Sequence, residues 1–279
     1  MIHPKIATLS ATRHILKTFN LRASKKLGQN FLINSDVVEK IINAAEISEG
    51  EEILEIGPGI GTLTQGLLEA GAKVTAVELD KKLPAVLAQT LAGYENFQLV
   101  QGDILKVDIA ELMPKNFKVV ANLPYYITTQ ILLTLMEKNL PITKIVTMVQ
   151  REVAERMIAA PNSKTYGAMS VAVQFRADCR IAFDVTPENF LPRPEVTSSV
   201  VVCDIHEPKI KFDEKFFTKV VRAAFGQRRK TLINSLIGAG FQRDAVISAL
   251  DAAEIKSTRR AETLTLDEFA KLSNFLNTK

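Results

Sequence analysis

Residues 52–61 read EILEIGPGIG, a short apolar strand that runs directly into a turn with a glycine at every second position. The first five residues have the length and the isoleucines typical of a buried strand. Gly57, Gly59 and Gly61 let the backbone approach a ligand closely, and a helix beginning after them would direct its N–H groups at that ligand. The stretch therefore predicts a strand–turn–helix unit that binds a ligand at its turn.

The alternation of strand and helix continues from residue 35 to about residue 176. The predicted strands are residues 52–56, 73–77, 97–100, 117–121 and 145–149. The predicted helices are residues 35–45, 62–70, 83–91 and 129–136. Ser35 and Thr62 are expected to cap the first two. Strands that alternate with helices predict an α/β fold, in which a mostly parallel sheet carries helices on both faces.

The pattern changes after residue 178. Residues 179–185 and 199–203 are both strand-like with no helix between them, so they predict a hairpin-like pair that ends the sheet. Beyond about residue 208 the apolar spacing is helical. The predicted helices there are residues 216–225, 230–237, 243–250 and 266–276. Thr265 stands three residues before Glu268, which is typical of a capping box at the start of the last helix.

Charge divides the chain into three blocks that follow this change of pattern. Residues 1–26 carry six basic and no acidic residues, residues 27–208 carry 15 basic and 23 acidic residues, and residues 209–279 carry 14 basic and 8 acidic residues. We predict a basic N-terminal segment with a short amphipathic helix over 11–19, a catalytic body, and a helical domain that binds a polyanion. Chance fluctuation of charge is the alternative interpretation.

Composition excludes several classes of protein. Hydrophobic residues make up 47% and charged residues 24% of the chain, as in soluble globular proteins. There is no apolar run long enough to cross a bilayer. A secretory signal is not indicated, and a mitochondrial transit peptide is the less favoured interpretation of the acid-free start. Cys179 and Cys203 lack a CxxC spacing, so we interpret them as buried small hydrophobes in a reducing compartment, without disulfide or zinc.

Two acidic residues stand at the ends of the next two predicted strands. Glu78 follows the glycine turn by about twenty residues, where a carboxylate can accept both ribose hydroxyls. Asp103 lies at the third strand end, beside the expected position of an adenine amino group. For each acid alone, a solvated strand-end or helix-capping residue is the preferred interpretation, but three successive suitable strand ends predict an adenosine-containing cofactor. The GxGxG spacing differs from the GxGxxG of dinucleotide-binding folds.

The stretch NLPY at residues 122–125 follows the fourth predicted strand and offers a binding site for an amine. The Asn122 side-chain carbonyl and the backbone carbonyl of Leu123 can accept both hydrogens of an –NH2 group. Tyr125 offers a ring on which a base can stack. With the cofactor site, this motif predicts methyl transfer from S-adenosylmethionine to an amino nitrogen of a nucleobase, and it makes NAD the poorer fit.

Five motifs in this order carry a resemblance to a known family. They are KLGQNFL at residues 26–32, EIGPGIG at 55–61, NLPYY at 122–126, FLPRP at 190–194 and RAAFGQRRK at 222–230. From about residue 25 to its C-terminus the chain resembles the KsgA-type small-subunit rRNA adenine N6,N6-dimethyltransferases. The resemblance implies a class I methyltransferase fold with a small helical C-terminal domain. It also implies dimethylation of two adjacent adenines in a hairpin near the 3′ end of small-subunit rRNA, late in subunit maturation.

The resemblance assigns residues to the cofactor. The cofactor-binding residues that it implies are Asn30, Leu32, Gly57, Gly59, Glu78, Asp103 and Asn122. Asn30 and Leu32 are expected to contact the cofactor from the segment before the first strand, and Gly57 and its neighbours to pass beneath the methionine moiety. Asn122 is expected to bridge the cofactor and the target amine.

The resemblance also assigns residues to the target base. They are Asn122, Leu123, Tyr125 and Phe190. The flipped adenine is expected to stack on Tyr125 and, from the opposite side, on Phe190. From the residues alone, the preferred interpretation of Phe190 is a core residue beneath a proline-rich loop. Tyr126 is expected to pack inward.

Basic residues at and after the helix predicted over 216–225 are the candidate RNA contacts. They are Arg222, Arg228, Arg229 and Lys230. Contacts of this kind to phosphate position RNA without reading its sequence. A solvated charged face is the alternative. Weaker candidates for the same role are Arg13, Arg22, Lys25 and Lys26.

Two other functions stay open at this point. A large-subunit rRNA methyltransferase of the antibiotic-resistance type shares the fold and the Asn-x-Pro-aromatic motif, although the FLPRP and RRK segments favour the small-subunit family. A binding protein that retains the fold without chemistry is disfavoured, because the glycine turn, both acids and Asn122 are present. The expected partners are the small ribosomal subunit and its rRNA. We expect no membrane, no metal, a monomer and the bacterial cytoplasm.

Overall fold

The computed structural model describes residues 4–137, 140–208, 213–227 and 229–277. Its strands are β1 (Phe31–Leu32), β2 (Glu52–Ile56), β3 (Lys73–Glu78), β4 (Phe97–Gln101), β5 (Phe117–Asn122), β6 (Ile142–Gln150), β7 (Ala177–Val185), β8 (Phe190–Leu191) and β9 (Ser198–Ile205). Its α-helices are α1 (Leu9–Thr18), α2 (Ser35–Ala45), α3 (Thr62–Glu69), α4 (Leu83–Thr90), α5 (Ile109–Leu112), α6 (Thr128–Glu137), α7 (Arg151–Met157), α8 (Ala168–Gln174), α9 (Glu214–Phe225), α10 (Leu232–Gly238), α11 (Arg243–Ala252) and α12 (Leu266–Asn277). The predicted strands and helices are confirmed, with ends that differ by a few residues. Helices α5, α7 and α8, of four, seven and seven residues, were not predicted.

Seven strands form one sheet in the order β4-β3-β2-β5-β6-β9-β7. The first five are parallel, and β9 runs antiparallel to β6. The predicted pair at the end of the sheet is confirmed, since β9 and β7 are neighbours there. The strand order reverses between β2 and β5, so the loops that follow these two strands diverge and leave a crevice at their carboxyl ends.

Strand β5 shows why the centre of the sheet is so apolar. Its first five residues are all buried. Consecutive residues point to opposite faces of a sheet, so both faces are covered at this strand. Lys118 is the one charged residue among these five. Its ammonium group donates to the carbonyl oxygens of Ala45 and Glu46 at 3.0 and 2.8 Å, and to the Glu51 carboxylate at 2.9 Å. The buried lysine therefore supplies hydrogen-bond donors to backbone carbonyl groups at the C-terminal end of α2.

Two helix caps differ from the prediction. The cap of α2 is Asn34, whose side-chain oxygen accepts a hydrogen bond from the Asp36 N–H at 2.9 Å, and Ser35 is the first helical residue. The cap of α3 is Gly61, which has a φ of 92°. The turn requires this left-handed backbone, which disfavours a side chain, so Thr62 lies inside the helix. In both cases the preceding residue already meets the conformational requirement of the cap.

The chain forms two compact units. One contains the described residues within Met1–Ile131, Asn139–Ala154 and Cys179–Ile205. The other contains those within Leu132–Lys138, Glu155–Asp178 and His206–Lys279. The predicted division into 1–26, 27–208 and 209–279 follows charge and differs from these units. Ile6 and Ala7 are buried in the core of the first unit, and Val171 and Phe175 in the core of the second, because apolar burial and not charge defines a compact unit.

Helices α9 to α12 supply most of the core of the second unit. The capping box predicted for α12 is confirmed: the Thr265 N–H donates to the Glu268 carboxylate at 2.8 Å, and the Glu268 N–H donates to the Thr265 hydroxyl at 3.2 Å. Arg259 also pairs with Glu268. The backbone N–H groups of Thr265 and Glu268 at the start of α12 therefore both have hydrogen-bond partners.

Candidate active site

A cavity opens at the carboxyl ends of β2, β3 and β5, where the strand order reverses. All seven residues predicted to bind the cofactor line it. They are Asn30, Leu32, Gly57, Gly59, Glu78, Asp103 and Asn122. The fold thus brings together residues from five separate segments of the chain, four of which follow parallel strands that end at one edge of the sheet.

The turn after β2 forms one wall of this cavity. Gly57 and Gly59 have φ values of 70° and 60°, a backbone region that side chains disfavour. A Cβ atom at Gly59 would lie 3.3 Å from the Phe31 ring. The Gly57 N–H donates to the Val77 carbonyl of β3 at 3.0 Å, which holds the turn against the sheet. The result is a backbone cradle that carries no side chain at Gly57 or Gly59.

Glu78 at the end of β3 is held by this cradle. One carboxylate oxygen accepts the Gly59 N–H at 3.3 Å, and the other accepts the Asp80 N–H at 2.7 Å. Burial raises the pKa of Glu78, and these two N–H groups oppose that rise. Because each carboxylate oxygen has two lone pairs, both retain capacity to accept a hydroxyl of a ligand.

Glu55 is a functional candidate that was not predicted. It lines the cavity with only 1% of its surface exposed, and its Oε2 atom has no hydrogen-bond partner within the described part of the chain. Burial raises the pKa of Glu55 to about 8, and the charge of Glu78 adds to this rise. A hydrogen bond with Thr64 opposes the rise, but a buried oxygen without a partner is unfavourable unless a ligand satisfies it. The available signal was an acid inside an otherwise apolar strand.

The segment of residues 24–30 forms hydrogen bonds with residues on both sides of the cavity. The Gln29 side chain donates to the Asp80 carboxylate at 2.9 Å, on the side of β3. On the side of β5, the Asn122 amide donates to the backbone carbonyl of Asn30 at 3.3 Å. Asn30 therefore contributes its backbone to the site, while its side chain donates to the Gly28 carbonyl at 3.2 Å.

Asn122 and Leu123 present the two expected acceptors. The Asn122 amide nitrogen is engaged by Asn30, so the amide is oriented with its Oδ1 atom available, and Oδ1 accepts no hydrogen bond from the residues described. The Leu123 N–H donates to the Met148 carbonyl at 3.1 Å. Its own carbonyl accepts none within the same residues. Both oxygens belong to residues that line the cavity.

Tyr125 and Tyr126 both line the cavity, but they differ in exposure. The Tyr125 hydroxyl lies 2.6 Å from the Ser198 hydroxyl, which orients a half-buried ring. Burial raises the pKa of Tyr125, so its phenol is neutral at physiological pH. Tyr126 is 54% exposed. The expected inward packing of Tyr126 is therefore wrong: its ring lies at the surface of the cavity, beside Gly28.

The expected stacking role of Phe190 also needs correction. Phe190 is 1% exposed, belongs to the hydrophobic core of the first unit and is absent from the residues that line the cavity. Strand β8 pairs with β1 and places Phe190 opposite Leu32. The ring is buried by that pairing, so in this structure it offers no face to a base. The alternative interpretation as a core residue is the one that the structure supports.

The predicted RNA contacts lie around the end of α9. Arg222 is on this helix, which ends at Phe225, while Arg229 and Lys230 lie in the turn that follows. All three are exposed. Arg228 lies outside the described residues. In the first unit the exposed basic residues of the N-terminal segment include Arg13, Arg22 and Lys26.

The described residues contain no group of three or more histidine, cysteine, aspartate or glutamate side chains that could hold a metal ion. Among the same residues, none of the helices combines the length and the apolar character needed to span a bilayer.

A mostly parallel sheet with a glycine turn after β2 and carboxylates after β3 and β4 defines a class I S-adenosylmethionine-dependent methyltransferase. Two solved structures share this fold. A dimethyladenosine transferase from Plasmodium falciparum is 26% identical with a TM-score of 0.75, covering 87% of this chain and 95% of that one. The 23S rRNA methyltransferase ErmE is 25% identical with a TM-score of 0.66, covering 89% of this chain and all of that one.

A family model described as ribosomal RNA adenine dimethylase matches residues 20–277, and the chain belongs to this family. Two curated relatives are named ribosomal RNA small subunit methyltransferase A. The protein from Clostridioides difficile is 46% identical over 99% of this chain and 98% of its own. That from Bacillus pumilus is 43% identical over 97% of each chain. The chain is thus an rRNA adenine dimethyltransferase that uses S-adenosylmethionine, and the expected family and cofactor are confirmed.

Proposed function

We propose that this chain dimethylates the N6 amino groups of two adjacent adenines in a hairpin near the 3′ end of small-subunit rRNA. We further propose that it acts as a monomer without metal on the small ribosomal subunit, late in its maturation, in the bacterial cytoplasm. The observation that carries the proposal is the pair of available oxygens, Asn122 Oδ1 and the Leu123 carbonyl, in the cofactor cavity. Relatives named as small-subunit methyltransferases support the choice of subunit.

The cavity fits S-adenosylmethionine on two observations. Gly57 and Gly59 have a backbone conformation that disfavours side chains, and the buried Oε2 of Glu55 has no hydrogen-bond partner among the described residues, so it is available to a polar group of the ligand. When bound, the donor supplies an activated methyl group on a sulfonium sulfur. Glu78 accepts the ribose hydroxyls through its remaining lone pairs. Asp103 uses one oxygen to accept the Leu105 N–H at 3.1 Å, and its other oxygen accepts the adenine amino group.

The target amine is held by the end of β5. Adenine N6 is a weak nucleophile, because its lone pair is delocalised into the ring. Acceptance of its two hydrogens by Asn122 and Leu123 favours a pyramidal nitrogen and localises that pair. Alignment and local electrostatics of this kind can supply most of the rate enhancement, so a strong base is not required.

The base must leave its stack to reach this position, which costs a few kcal/mol. Stacking on the Tyr125 ring offsets part of this cost, by about 1–3 kcal/mol. Since Phe190 is buried, the exposed ring of Tyr126 is the second aromatic face that the site offers to RNA. The basic segments at 1–26 and 209–279, with Arg222, Arg229 and Lys230 among them, bind phosphates and position the hairpin.

Replacement of Asn122 by alanine tests the proposal. We expect methyl transfer to fall on the order of 100-fold, as when one preorganised hydrogen-bonding group is removed. Binding of S-adenosylhomocysteine by calorimetry and of rRNA by filter retention should change only a few-fold. Asn43→Ala, at an exposed position of α2, is the matched control. Unchanged methylation would remove Asn122 from its role, and parallel loss of all three activities would assign it to folding.

The choice of subunit has its own test, because ErmE, a 23S rRNA methyltransferase, shares the fold at 25% identity. Purified immature small and large subunits are incubated with the enzyme and labelled donor. We expect label in the small subunit, in dimethyladenosine near the 3′ end of its rRNA. Label in the large subunit alone would overturn the proposed substrate.

A further inference from the structure

Two cysteines that belong to none of the predicted motifs lie close together in the sheet. Cys179 lies on β7 and Cys203 on β9, and these strands are neighbours. Both are thiols, and the Cys179 thiol donates to the Cys203 sulfur at 2.9 Å. The two sulfur atoms thus face each other directly across the strand pair.

The strand pair has the geometry that a disulfide needs. A second side-chain contact joins the same strands, since the Ser199 hydroxyl donates to the Asp184 carboxylate at 2.6 Å. The two contacts run in opposite directions along the chain, as in an antiparallel pair. Opposite residues of such a pair have Cα atoms about 4.5–5.5 Å apart, within the range of about 4.4–6.8 Å found for disulfides. A bond between Cys179 and Cys203 therefore needs no large movement of the backbone.

The two thiols differ in access to solvent. Cys203 is 0% exposed, whereas Cys179 lies on the last strand of the sheet and is partly exposed. Contact with Cys179 and burial raise the pKa of the Cys203 thiol. A solvent-borne oxidant therefore meets Cys179 first, and Cys203 is placed to resolve the product.

We propose that Cys179 and Cys203 are a redox modification site that forms a reversible intramolecular disulfide with a small disulfide oxidant such as oxidised glutathione. The Cys179 thiolate attacks one sulfur of the oxidant, the oxidant's S–S bond breaks, and one glutathione thiolate leaves. Cys203, having lost its proton, attacks the Cys179 sulfur, and the second glutathione thiolate leaves. The protein gives up two electrons and two protons, which reduce the oxidant to two thiols.

The bond would close the chain around the segment of residues 186–197. This segment carries Phe190 and leads into Ser198, whose hydroxyl contacts the Tyr125 hydroxyl. The bond would lie near the end of the strand pair that is farther from this segment, and it would restrict the unfolded chain between residues 179 and 203. The inference depends on the strand geometry and on the different exposure of the two thiols, and it is independent of the proposed substrate.

Oxidation of the full-length folded protein tests the site. Reduced protein is incubated with oxidised glutathione, quenched with acid and examined by intact mass spectrometry and peptide mapping. We expect one product lighter by two hydrogen atoms, with the peptides of Cys179 and Cys203 joined. Dithiothreitol should restore the starting mass. Circular dichroism and binding of S-adenosylhomocysteine establish that each variant is folded.

Two single variants distinguish the roles of the thiols. Cys203→Ser should accumulate one glutathione adduct on Cys179, because no resolving thiol is present. Cys179→Ser should stay unmodified while folded, because Cys203 is buried. Three outcomes would overturn the proposal. The unaltered protein could carry two independent adducts, or it could form a disulfide between two chains. The folded unaltered protein could also fail to react under conditions that modify Cys203→Ser.

Discussion

At the scale of single residues, the cofactor cavity contains a group that is unfavourable for folding. Glu55 is buried beside the glycine turn with one oxygen unpartnered, and burial raises its pKa from 4.5 to about 8. Sites that bind polar ligands often contain such groups, because the ligand supplies the missing partner. The destabilisation caused by the buried Glu55 carboxyl should therefore depend on pH.

Glu55→Gln should remove that dependence. Between about pH 4.5 and 8, Glu55 is protonated in the folded state and ionised in the unfolded state, so unfolding releases a proton and a rise in pH favours unfolding. The free energy of unfolding of the unaltered protein should therefore fall relative to Glu55→Gln across this window, by a few kcal/mol, and level off above it. Urea denaturation at several pH values measures the difference. Parallel curves for the two proteins, as expected for the exposed control Glu95→Gln, would contradict the assignment.

Tyr125 combines a ring in the cavity with a hydroxyl that contacts Ser198, and two substitutions separate these features. Tyr125→Ala removes the stacking face and should lower kcat/KM for rRNA by the equivalent of about 1–3 kcal/mol, or roughly 5- to 150-fold. Tyr125→Phe keeps the ring and should lower it only a few-fold. Steady-state kinetics with an rRNA hairpin provide the measurement. Equal losses in both variants would assign the effect to the hydroxyl.

At the scale of elements, close packing between helices α2 and α3 supports the glycine turn. Gly66 of α3 faces Val38 of α2, and a Cβ atom at Gly66 would lie 2.5 Å from a Val38 methyl carbon. Valine is stiff about χ1, so it cannot easily move away. A glycine inside a helix is unfavourable by about 1 kcal/mol relative to alanine, and the close contact explains why it is present.

Gly66→Ala should therefore destabilise the protein despite the better helix propensity of alanine. Overpacking in a core costs about 1–3 kcal/mol, which exceeds the gain in propensity. Val38→Ala should restore room, so the double variant should be more stable than the sum of the single effects by about 1 kcal/mol. Chemical denaturation of the four proteins gives the coupling. Simple additivity would show that the contact is not the cause.

At the scale of the whole molecule, the sign of charge differs along the chain. The basic segments 1–26 and 209–279 flank an acidic middle, and exposed basic residues occur in both compact units. Binding to rRNA should weaken steeply with salt, because each phosphate contact releases counterions. A flat salt dependence would contradict the proposed role of the basic segments.

Arg229→Gln tests one such contact. The slope of log Kd against log salt concentration should become shallower by about one, with a uniform loss of affinity across RNA sequences. Lys115→Gln, an exposed basic residue of the acidic middle, is the matched control and should leave the slope unchanged. Fluorescence anisotropy with a labelled hairpin over a range of salt concentrations measures both. An unchanged slope for Arg229→Gln would exclude Arg229 as a phosphate contact.

The amino-acid pattern was enough to predict the α/β alternation, the glycine turn, the strand-end positions of Glu78 and Asp103, and the motif at Asn122. These features are local, because the turn chemistry and the end of a strand depend on neighbours in the chain. Parallel strands that end at one edge then require their terminal residues to meet, so the composition of the cavity followed from the strand pattern.

Four features became visible only in the folded chain: the burial of Phe190, the exposure of Tyr126, the unpartnered oxygen of Glu55 and the contact of Cys179 with Cys203. The tertiary structure also assigned residues 155–178 to the helical unit. Each of these depends on which distant segments pack together, such as the pairing of β8 with β1 or of β9 with β7. Burial and side-chain contact are properties of the packed chain, and no local pattern determines them.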